Sequence, residues 1–408
     1  MNRSDYLIIG AGIIGLTLAR EIKRRDPASK VTILEKENTL ALHASGRNSG
    51  VLHSGIYYPA DTLKAKVCAK GGSMMIDFIK ERNLPIKKAG KVILTNREEE
   101  LATLDRLMEN AAASGINAKK LDADSIREIE PFCRTHEAGI YLPDVCVIDP
   151  KITTKAIADD AVEAGVEILY SQRVTQVSGK EIVSSKGRSQ FGKLINCAGA
   201  YADIIASLCG AGGSYRLIPF KGLYYKLKAN RRELIRGLIY PAPDLNFPFL
   251  GVHFTCANDG EVYVGPTAIP ALGRENYAGL SGMSVGESAQ LGLRLAGMYI
   301  AGGSKFRQLV QREAGRYLKG NFIKAAKTMV PTIADDDMIV CDKVGIRPQL
   351  VDTKNNQLVM DFMATKSNGT YHILNAISPA FTGSMAFAQL VATSIMDDDG
   401  KSVGDLTC

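Results

Sequence analysis

Residues 6–35 read YLIIGAGIIGLTLAREIKRRDPASKVTILE, and this stretch decides the fold of the N-terminal part of the chain. The apolar run at 6–9 is typical of a buried parallel strand. The residues after Gly15 have helical periodicity as far as Pro27, and a second apolar run at 31–34 ends on Glu35. The stretch therefore predicts a strand, a helix and a second strand in one βαβ unit.

Three glycines lie between the first strand and the helix in the pattern G-x-G-x-x-G. Gly10 permits a tight turn, Gly12 lets the backbone approach a pyrophosphate, and Gly15 lets the helix pack closely on the strand. The helix N-terminus at Ile14 presents N–H groups and a positive dipole end to phosphates. Glu35, followed by Lys36, can accept hydrogen bonds from ribose hydroxyls and argues against NADP. The pattern predicts a dinucleotide site but does not distinguish NAD from FAD.

A second glycine-rich segment follows at 41–58, with the sequence ALHASGRNSGVLHSGIYY. Small residues such as Ser45 and Gly50 allow the backbone to approach a flat ring system. Asn48 and Ser49 can bond phosphate oxygens or ring heteroatoms. The alternative interpretation is a surface loop.

Composition excludes several classes of protein. The chain has 408 residues and a formal net charge of +7, and it contains no dense run of Lys and Arg interleaved with aromatics, so nucleic acid is not an expected partner. The eight cysteines form no C-x-x-C pair, which disfavours a metal or dithiol site. No apolar run is long enough for a transmembrane helix, and no signal peptide is evident, so a cytoplasmic location is expected.

The segment GRNSGVLHSGIYYPADTLKAKVC at 46–68 resembles the signature of the L-2-hydroxyglutarate dehydrogenases and oxidases, which belong to the D-amino-acid-oxidase-like FAD superfamily. The likeness continues through nearly the whole chain, including IYPAPDLNFPFLGVHFT at 239–255 and HILNAISPAFTGS at 372–384. Two positions depart from the family pattern, since Lys221 replaces an expected arginine and Leu223 an expected glutamate. These departures leave the exact 2-hydroxy acid open.

The resemblance implies FAD as the cofactor and oxidation of L-2-hydroxyglutarate, a small dicarboxylate, to 2-oxoglutarate. Electrons would pass to a quinone or another acceptor. The alternatives are another reaction of the superfamily, on an amino acid or glycerol 3-phosphate, and a flavin-binding protein without turnover.

The order of predicted elements favours two interleaved domains of the α/β class. We expect a Rossmann-like FAD-binding domain at 1–85, 145–210 and 335–408. An α+β substrate domain, built on a mostly antiparallel sheet, is expected at 86–144 and 211–334, because residues 215–266 alternate in the manner of antiparallel strands.

Oxidation of a 2-hydroxy acid needs a hydride acceptor, a base for the hydroxyl proton, and groups that hold carboxylates. We predict His253 as the base, on one strand face with Phe249, Gly251 and Thr255. His53 is the alternative base or a donor to the reduced flavin. Arg347, in a turn-like Gly-Ile-Arg-Pro, would grip a carboxylate with two hydrogen bonds. The weaker candidates for the distal carboxylate are Tyr57, Tyr58 and Lys221.

Other cofactor contacts are expected from the superfamily resemblance. The last helix begins after Ser378, and its N-terminal dipole would favour the anionic reduced ring. A strand near 174 would contact adenine through its backbone. The remaining cofactor-binding candidates are Val174, Ala198, Gly199, Gly345, Arg347, Pro379, Ala380, Phe381 and Thr382.

A cationic segment at 305–327 has a single acid, Glu313. It is either a solvated helical face or a surface that docks peripherally on the anionic inner face of a membrane, where quinone is available. Its cations are Lys305, Arg307, Arg312, Arg316, Lys319, Lys324 and Lys327.

Overall fold

A computed structural model describes residues 2–245, 250–301 and 318–397, together with 307, 308, 310, 311, 313 and 315. The strands in these parts are Asn2–Ile9 (β1), Val31–Leu34 (β2), Val51–Leu52 (β3), Ile86–Lys88 (β4), Lys91–Leu94 (β5), Lys119–Asp122 (β6), Ala138–Leu142 (β7), Cys146–Ile148 (β8), Glu167–Leu169 (β9), Val174–Ser178 (β10), Glu181–Ser184 (β11), Gly187–Asn196 (β12), Tyr215–Leu227 (β13), Leu238–Pro241 (β14), His253–Cys256 (β15), Val262–Gly265 (β16), Ile269–Pro270 (β17), Met338–Asp352 (β18), Gln357–Leu358 (β19), Met363–Ser367 (β20) and Thr370–Asn375 (β21). The helices are Ile13–Arg25 (α1), Leu63–Glu81 (α2), Leu101–Ala113 (α3), Ala123–Ile129 (α4), Pro150–Glu163 (α5), Ala202–Leu208 (α6), Val285–Ala301 (α7), Lys319–Met329 (α8) and Ala380–Met396 (α9).

The first sheet contains the N-terminal strand. β1 lies between β2 and β12 and runs parallel to both. β12 then pairs antiparallel with β11 through its first residues and parallel with β21 through its last residues. β1, α1 and β2 follow one another directly, so the predicted βαβ unit is confirmed.

Helices cover both faces of this sheet. Ile8 packs on one face in a core shared with α1, α5 and α9, whereas Leu7 and Ile9 pack on the other face with Ile205 of α6. This alternation is expected of a strand buried on both sides.

The second sheet is mostly antiparallel, as predicted. Its strand order is β19-β18-β13-β16-β15-β14-β5-β7-β6, and only the β14–β5 pair along this described path is parallel. One face packs against α8, where Ile239 and Phe254 contact Phe322 in a common core. The opposite face carries Leu238 and Tyr240 and packs with Tyr57 and α3.

A small sheet has the order β3-β8-β4. Its middle strand packs Cys146 and Ile148 into the core beside α1 and Val147 into the core with Tyr240. Gly50 precedes β3 with a φ of +77°, and a Cβ there would lie 2.4 Å from the carbonyl oxygen of Ile148. Only glycine fits such a close approach with this backbone conformation. Gly50 therefore holds the second glycine-rich segment against β8.

The two large sheets are built from alternating parts of the chain, which confirms the predicted fold class. The positions of the predicted domain boundaries stay predictions. β18 and β19 pair with the second sheet, although the prediction grouped residues from 335 onward with the FAD-binding domain. Among the helices of the described ranges, none is both long and apolar enough to cross a bilayer.

Candidate active site

A cavity of about 560 Å³ lies between the two large sheets. It is bordered by the start of α1, the second glycine-rich segment, β15, β18 and the start of α9. The structure brings most of the predicted site residues together here. Those that line the cavity are Gly12, Ile14, Ser45, Asn48, Ser49, His53, Tyr57, Tyr58, Gly199, His253, Gly345, Arg347, Pro379, Ala380, Phe381 and Thr382.

A second cavity of about 260 Å³ adjoins the first. Gly12, Ser45 and Gly199 border both, so the two cavities form one elongated site. The predicted cofactor residues that line the second cavity are Gly10, Gly12, Glu35, Lys36, Ser45, Val174, Ala198 and Gly199.

The glycines of the first turn have the geometry that the motif predicts. Gly10 has a φ of +103°, and a Cβ there would lie 2.6 Å from the carbonyl oxygen of Cys197. A Cβ on Gly15 would lie 2.0 Å from the carbonyl oxygen of Gly10, so Gly15 serves the packing of α1 on β1. Neither Gly15 nor Gly50 is among the described residues that line the cavities.

Glu35 is held in place by the backbone. Its two carboxylate oxygens accept hydrogen bonds from the N–H groups of Ala11, at 2.8 Å, and Glu37, at 2.9 Å. A carboxylate has about four acceptor positions, so the group can still receive ribose hydroxyls.

Lys36 lies beside the second cavity, but its ammonium is engaged by protein groups. It donates to Glu275 at 2.6 Å and to Glu37, and it lies 2.9 Å from Nε2 of His43. Glu37, His43 and Glu275 are close enough to one another to suggest a metal site. Since the ammonium of Lys36 bonds all three, the arrangement is better described as an ion-pair network.

His253 lies at the start of β15 with its ring stacked on Tyr240, at 3.9 Å between centroids. Its Nδ1 is 2.9 Å from the carbonyl oxygen of Gly251. A carbonyl only accepts, so Nδ1 carries the proton of the neutral ring and Nε2 keeps its lone pair. Burial lowers the pKa of His253 to about 3, helped by the charges of Arg347 and Lys91. The ring is therefore neutral at physiological pH, as a base must be. Phe249, predicted on the same face, lies outside the described residues.

His53 lies on the segment between β3 and α2. Its backbone N–H donates to Oγ1 of Thr382 at 3.1 Å, and its ring Nε2 lies 3.5 Å from Oγ of Ser378. Burial lowers the pKa of His53 to about 3, with smaller effects from Lys91 and Arg347. His53 is thus tied to the N-terminus of α9.

Arg347 lies within β18, opposite Phe220 of β13, and not in the turn that the sequence suggested. The Gly-Ile-Arg-Pro pattern suggested a turn because proline cannot donate a backbone hydrogen bond within a sheet. Here the strand tolerates Pro348, since it lies opposite Pro219 and neither residue has to donate to the other. Gly345 is required here, since a Cβ would lie 2.5 Å from the carbonyl oxygen of Arg47.

Lys221 is not placed where the prediction put it. Its ammonium donates to Oδ1 of Asn276 at 2.7 Å, and Lys221 is not among the described residues that line either cavity. The neighbouring Gly222 borders the main cavity instead, because successive strand residues point to opposite faces.

Lys64 was missed by the sequence analysis. It lines the main cavity in the first turn of α2, and only 6% of the residue is exposed. Its ammonium lies 5.2 Å from the ring of Tyr58, and burial lowers its pKa to about 8, although the charge of Asp361 opposes this. A cation in the first turn of a helix is unfavourable. A lysine at the start of a predicted helix was therefore the sequence feature that could have pointed to a role for Lys64 in the site.

The site fits FAD on three observations of the structure. The glycine turn lets the chain lie close to a pyrophosphate, α1 and α9 both begin at the main cavity, and Glu35 borders the smaller cavity. Residues around Glu35 and Val174 would hold the ADP half, and the first residues of α9 would hold the flavin half.

Sequence comparisons support this assignment. Residues 5–394 match the family model described as DAO, FAD dependent oxidoreductase. The chain is 36% identical to L-2-hydroxyglutarate dehydrogenase of Indibacter alkaliphilus, over 95% of this chain and 97% of the relative. It is 34% identical to the human mitochondrial L-2-hydroxyglutarate dehydrogenase, over 96% of this chain and 88% of that protein.

Solved structures share the fold. The L-α-glycerophosphate oxidase of Mycoplasma pneumoniae with FAD bound matches with a TM-score of 0.77 at 23% identity, covering 98% of this chain and 96% of its own. Glycine oxidase of Geobacillus kaustophilus matches with a TM-score of 0.72 at 16% identity, covering 98% and 96%. With FAD as its cofactor and a CH–OH group as electron donor, the chain belongs to the DAO family of FAD-dependent oxidoreductases, and within it to the L-2-hydroxyglutarate dehydrogenases.

Proposed function

We propose that the protein oxidises L-2-hydroxyglutarate to 2-oxoglutarate. The observation that carries this proposal is a cavity in which two neutral histidines, His53 and His253, lie with two cations, Arg347 and Lys64. Neutral bases suit removal of a hydroxyl proton, and two cations suit a substrate with two carboxylates. The names of the relatives agree with this substrate.

The protein groups have distinct tasks in this proposal. Arg347 binds the carboxylate next to the reacting carbon with two hydrogen bonds. Nε2 of His253 takes the hydroxyl proton while the hydrogen on C2 leaves as hydride and the C2–O double bond forms. FAD supplies the hydride acceptor when bound. Two negative charges on the substrate offset the nearby cations, which raises the basicity of His253 at the moment of reaction.

Lys64 is our candidate for the second carboxylate, with Tyr57 and Tyr58 beside it. We expect Lys64→Met to raise KM for L-2-hydroxyglutarate by about 10- to 100-fold, the effect of losing one hydrogen bond to a charged group. A monocarboxylate such as L-lactate lacks the second charge, so its turnover should not change. Equal losses with both substrates would contradict this assignment.

The test of the proposed function is reduction of the protein-bound flavin without oxygen. L-2-Hydroxyglutarate should bleach the visible flavin spectrum, and the D enantiomer, glycerol 3-phosphate, glycine and L-proline should not. Bleaching by one of these others alone would assign a different reaction of the family. A flavin that none of them reduces would favour a non-catalytic flavin protein.

We further propose a quinone as electron acceptor, reached by peripheral contact with an anionic membrane. α7 exposes an apolar stripe toward solvent, with Val285 90%, Leu293 76% and Ile300 77% exposed. Leu318 is also exposed, and Lys319, Lys324 and Lys327 follow it in sequence. Apolar residues next to cations are typical of helices that bind anionic membrane surfaces. Lys305, Arg312 and Arg316 of the predicted cationic segment lie outside the described residues.

Co-sedimentation with vesicles of anionic lipid tests this contact. We expect binding at low salt, weaker binding at high salt, and little binding to neutral vesicles. Leu293→Asp combined with Ile300→Asp should abolish binding and leave anaerobic flavin reduction unchanged. Absence of binding at low salt would count against membrane docking.

A further inference from the structure

Lys91 is a buried lysine directly behind the main cavity. It is the first residue of β5 and only 1% exposed. Its ammonium lies 3.4 Å from Oη of Tyr57, and 4.6 and 5.0 Å from the ring centroids of Tyr57 and Tyr240. Both tyrosines line the cavity, so the charge of Lys91 lies one side chain away from it.

The positive charge of Lys91 is buried without an acidic partner in the described part of the chain. Among the residues that the structure describes, no carboxylate forms an ion pair with it, and the facing position on β7 is occupied by Leu142. Burying an unpaired ammonium is costly for the folded protein. A methionine of similar length would fill the same space without that cost, so the charge is expected to serve the site.

The register of the second sheet connects Lys91 to the predicted base. Lys91 pairs with Leu238 of β14, and Tyr240 lies two residues further on the same face. Tyr240 in turn stacks on His253 at 3.9 Å. The charge of Lys91 also lowers the pKa of both His53 and His253, which places it within electrostatic reach of the reacting groups.

We propose that Lys91 is a positioning residue that supplies a titrating positive charge behind the substrate, so that binding of a dicarboxylate is coupled to uptake of a proton by Lys91. This inference rests on the proposed function, because it takes the substrate to be a dianion. Lys91 acts through Tyr57 and Tyr240 and does not contact the substrate.

The pH range of the coupling follows from the burial of Lys91. Burial lowers the pKa of Lys91 to about 7, and the nearby Cys68 partly opposes this. Above pH 7 the free site therefore holds a neutral amine, and an arriving dianion favours its protonation. Affinity for a dicarboxylate should fall as the pH rises from about 7, by up to ten-fold per pH unit, since one proton is taken up.

Most groups that face Lys91 do not titrate in this range. Burial lowers the pKa of His53 and His253 to about 3, raises that of Cys68 to about 12, and raises the pKa of Tyr57 and Tyr240 above its usual value. The charge of Arg347 acts on the same two histidines. Lys64 is the exception, because its pKa is lowered to about 8. Proton uptake by Lys64 therefore has to be measured alongside that by Lys91.

The experiment measures proton uptake by calorimetry with the flavin-loaded protein. 2-Oxoglutarate is titrated at pH 8 in two buffers of different ionisation enthalpy, for the wild type and for Lys91→Met, Lys64→Met and the control Lys88→Met. Lys88 is a matched control because it lies three residues away and is exposed, paired with Asp144. We expect Lys91→Met to lose most of the proton uptake and to bind 2-oxoglutarate about ten-fold more weakly than the wild type near pH 7. Its affinity should also no longer decline as the pH is raised above 7, as that of the wild type does. Uptake that persists in Lys91→Met and disappears in Lys64→Met would overturn the proposal.

Thermal unfolding separates this inference from the proposed function. The pKa of Lys91 is lower in the folded than in the unfolded protein. Burial of the protonated amine therefore destabilises the fold by its full amount below pH 7, and this destabilisation disappears as the pH rises from about 7 to 10.5. Lys91→Met should therefore melt higher than the wild type at pH 6, by a difference that shrinks toward pH 10. A lower melting temperature at pH 6 would indicate a structural role and refute the inference. Failure of the wild type to bind 2-oxoglutarate would instead remove the proposed substrate, and the melting comparison would still test the buried charge.

Discussion

Replacing His253 with asparagine separates its role as a base from its role in packing. In the wild type, Nδ1 of His253 lies 2.9 Å from the carbonyl oxygen of Gly251. The Nδ2 group of asparagine can take the place of Nδ1 and donate to the same carbonyl. The variant lacks Nε2 and with it the lone pair that would accept the hydroxyl proton. His253→Asn is therefore a sharper change than alanine.

The structure gives two different magnitudes for this variant. Loss of the stacking on Tyr240 should cost about 1 kcal/mol of folding stability, the size of one aromatic pair. Loss of a general base should lower the rate of flavin reduction by about 10²- to 10⁴-fold, or about 3–5 kcal/mol in the barrier. The rate loss is thus far larger than the stability loss can explain.

Anaerobic stopped-flow reduction by L-2-hydroxyglutarate measures the rate, with melting temperature measured alongside. His136→Asn is the matched control, because His136 precedes β7 and is not among the described residues that line the cavities. Reduction of His253→Asn within three-fold of the wild-type rate would refute His253 as the base, and the same measurement on His53→Asn would then test the alternative.

The pH profile gives an independent check of the same reasoning. A base acts when deprotonated, and burial holds the pKa of His253 at about 3 in the free enzyme. We therefore expect kcat/KM to show no ascending limb near pH 6.5, the usual pKa of histidine. A limb at pH 6.5 that disappears in His253→Asn would show that burial does not control this residue.

Three further outcomes are expected. Gly10→Ala should purify without flavin, judged by its visible spectrum, because its φ of +103° and the 2.6 Å contact leave no room for a side chain; normal flavin content would contradict the turn geometry. Arg347→Lys should raise KM for L-2-hydroxyglutarate about ten-fold by losing one of two hydrogen bonds, with fold and flavin content retained. Burial lowers the pKa of His53, His253 and His372. Below about pH 6.5 the unfolded chain therefore takes up protons at these histidines while the folded protein does not, so the folded state loses stability as the pH falls. Together they should reduce the unfolding free energy by about 4 kcal/mol per pH unit between pH 6 and 5, and a flat stability in urea titrations over that range would contradict their neutral burial.

The sequence predicted well where a local pattern determines the structure. The turn at Gly10 and the strand ending on Glu35 are both consequences of short-range spacing, and both line the cofactor cavities. His253 was predicted from alternation along a strand that included Gly251, but β15 begins only at His253 and Gly251 precedes it with a φ of +75°. The structure nevertheless places His253 in the main cavity. Its role as the base stays a prediction.

The misplaced and missed residues depend on contacts between distant parts of the chain. Arg347 was predicted in a turn because its pairing with β13, more than a hundred residues earlier, leaves no local signal. Lys221 was expected in the site because of its motif, but its strand position turns it toward Asn276. Lys64 and Lys91 look like ordinary surface lysines in sequence, since burial of a charge is decided by what packs over it.

The order in which the first sheet is assembled has a consequence for synthesis of the protein. β1 leaves the ribosome before the other described strands, but its neighbour β12 starts at Gly187, and β21, the partner of β12, ends at Asn375. At about 5–20 residues per second, roughly 20–70 s separate the emergence of β1 from that of β21. Until the end of that time α1 lacks the apolar contacts that α9 makes with it, although β2, α5 and β12 emerge earlier. A chaperone is therefore expected to protect the exposed apolar face of α1 until α9 has emerged, and the cofactor can be retained only after that helix is in place.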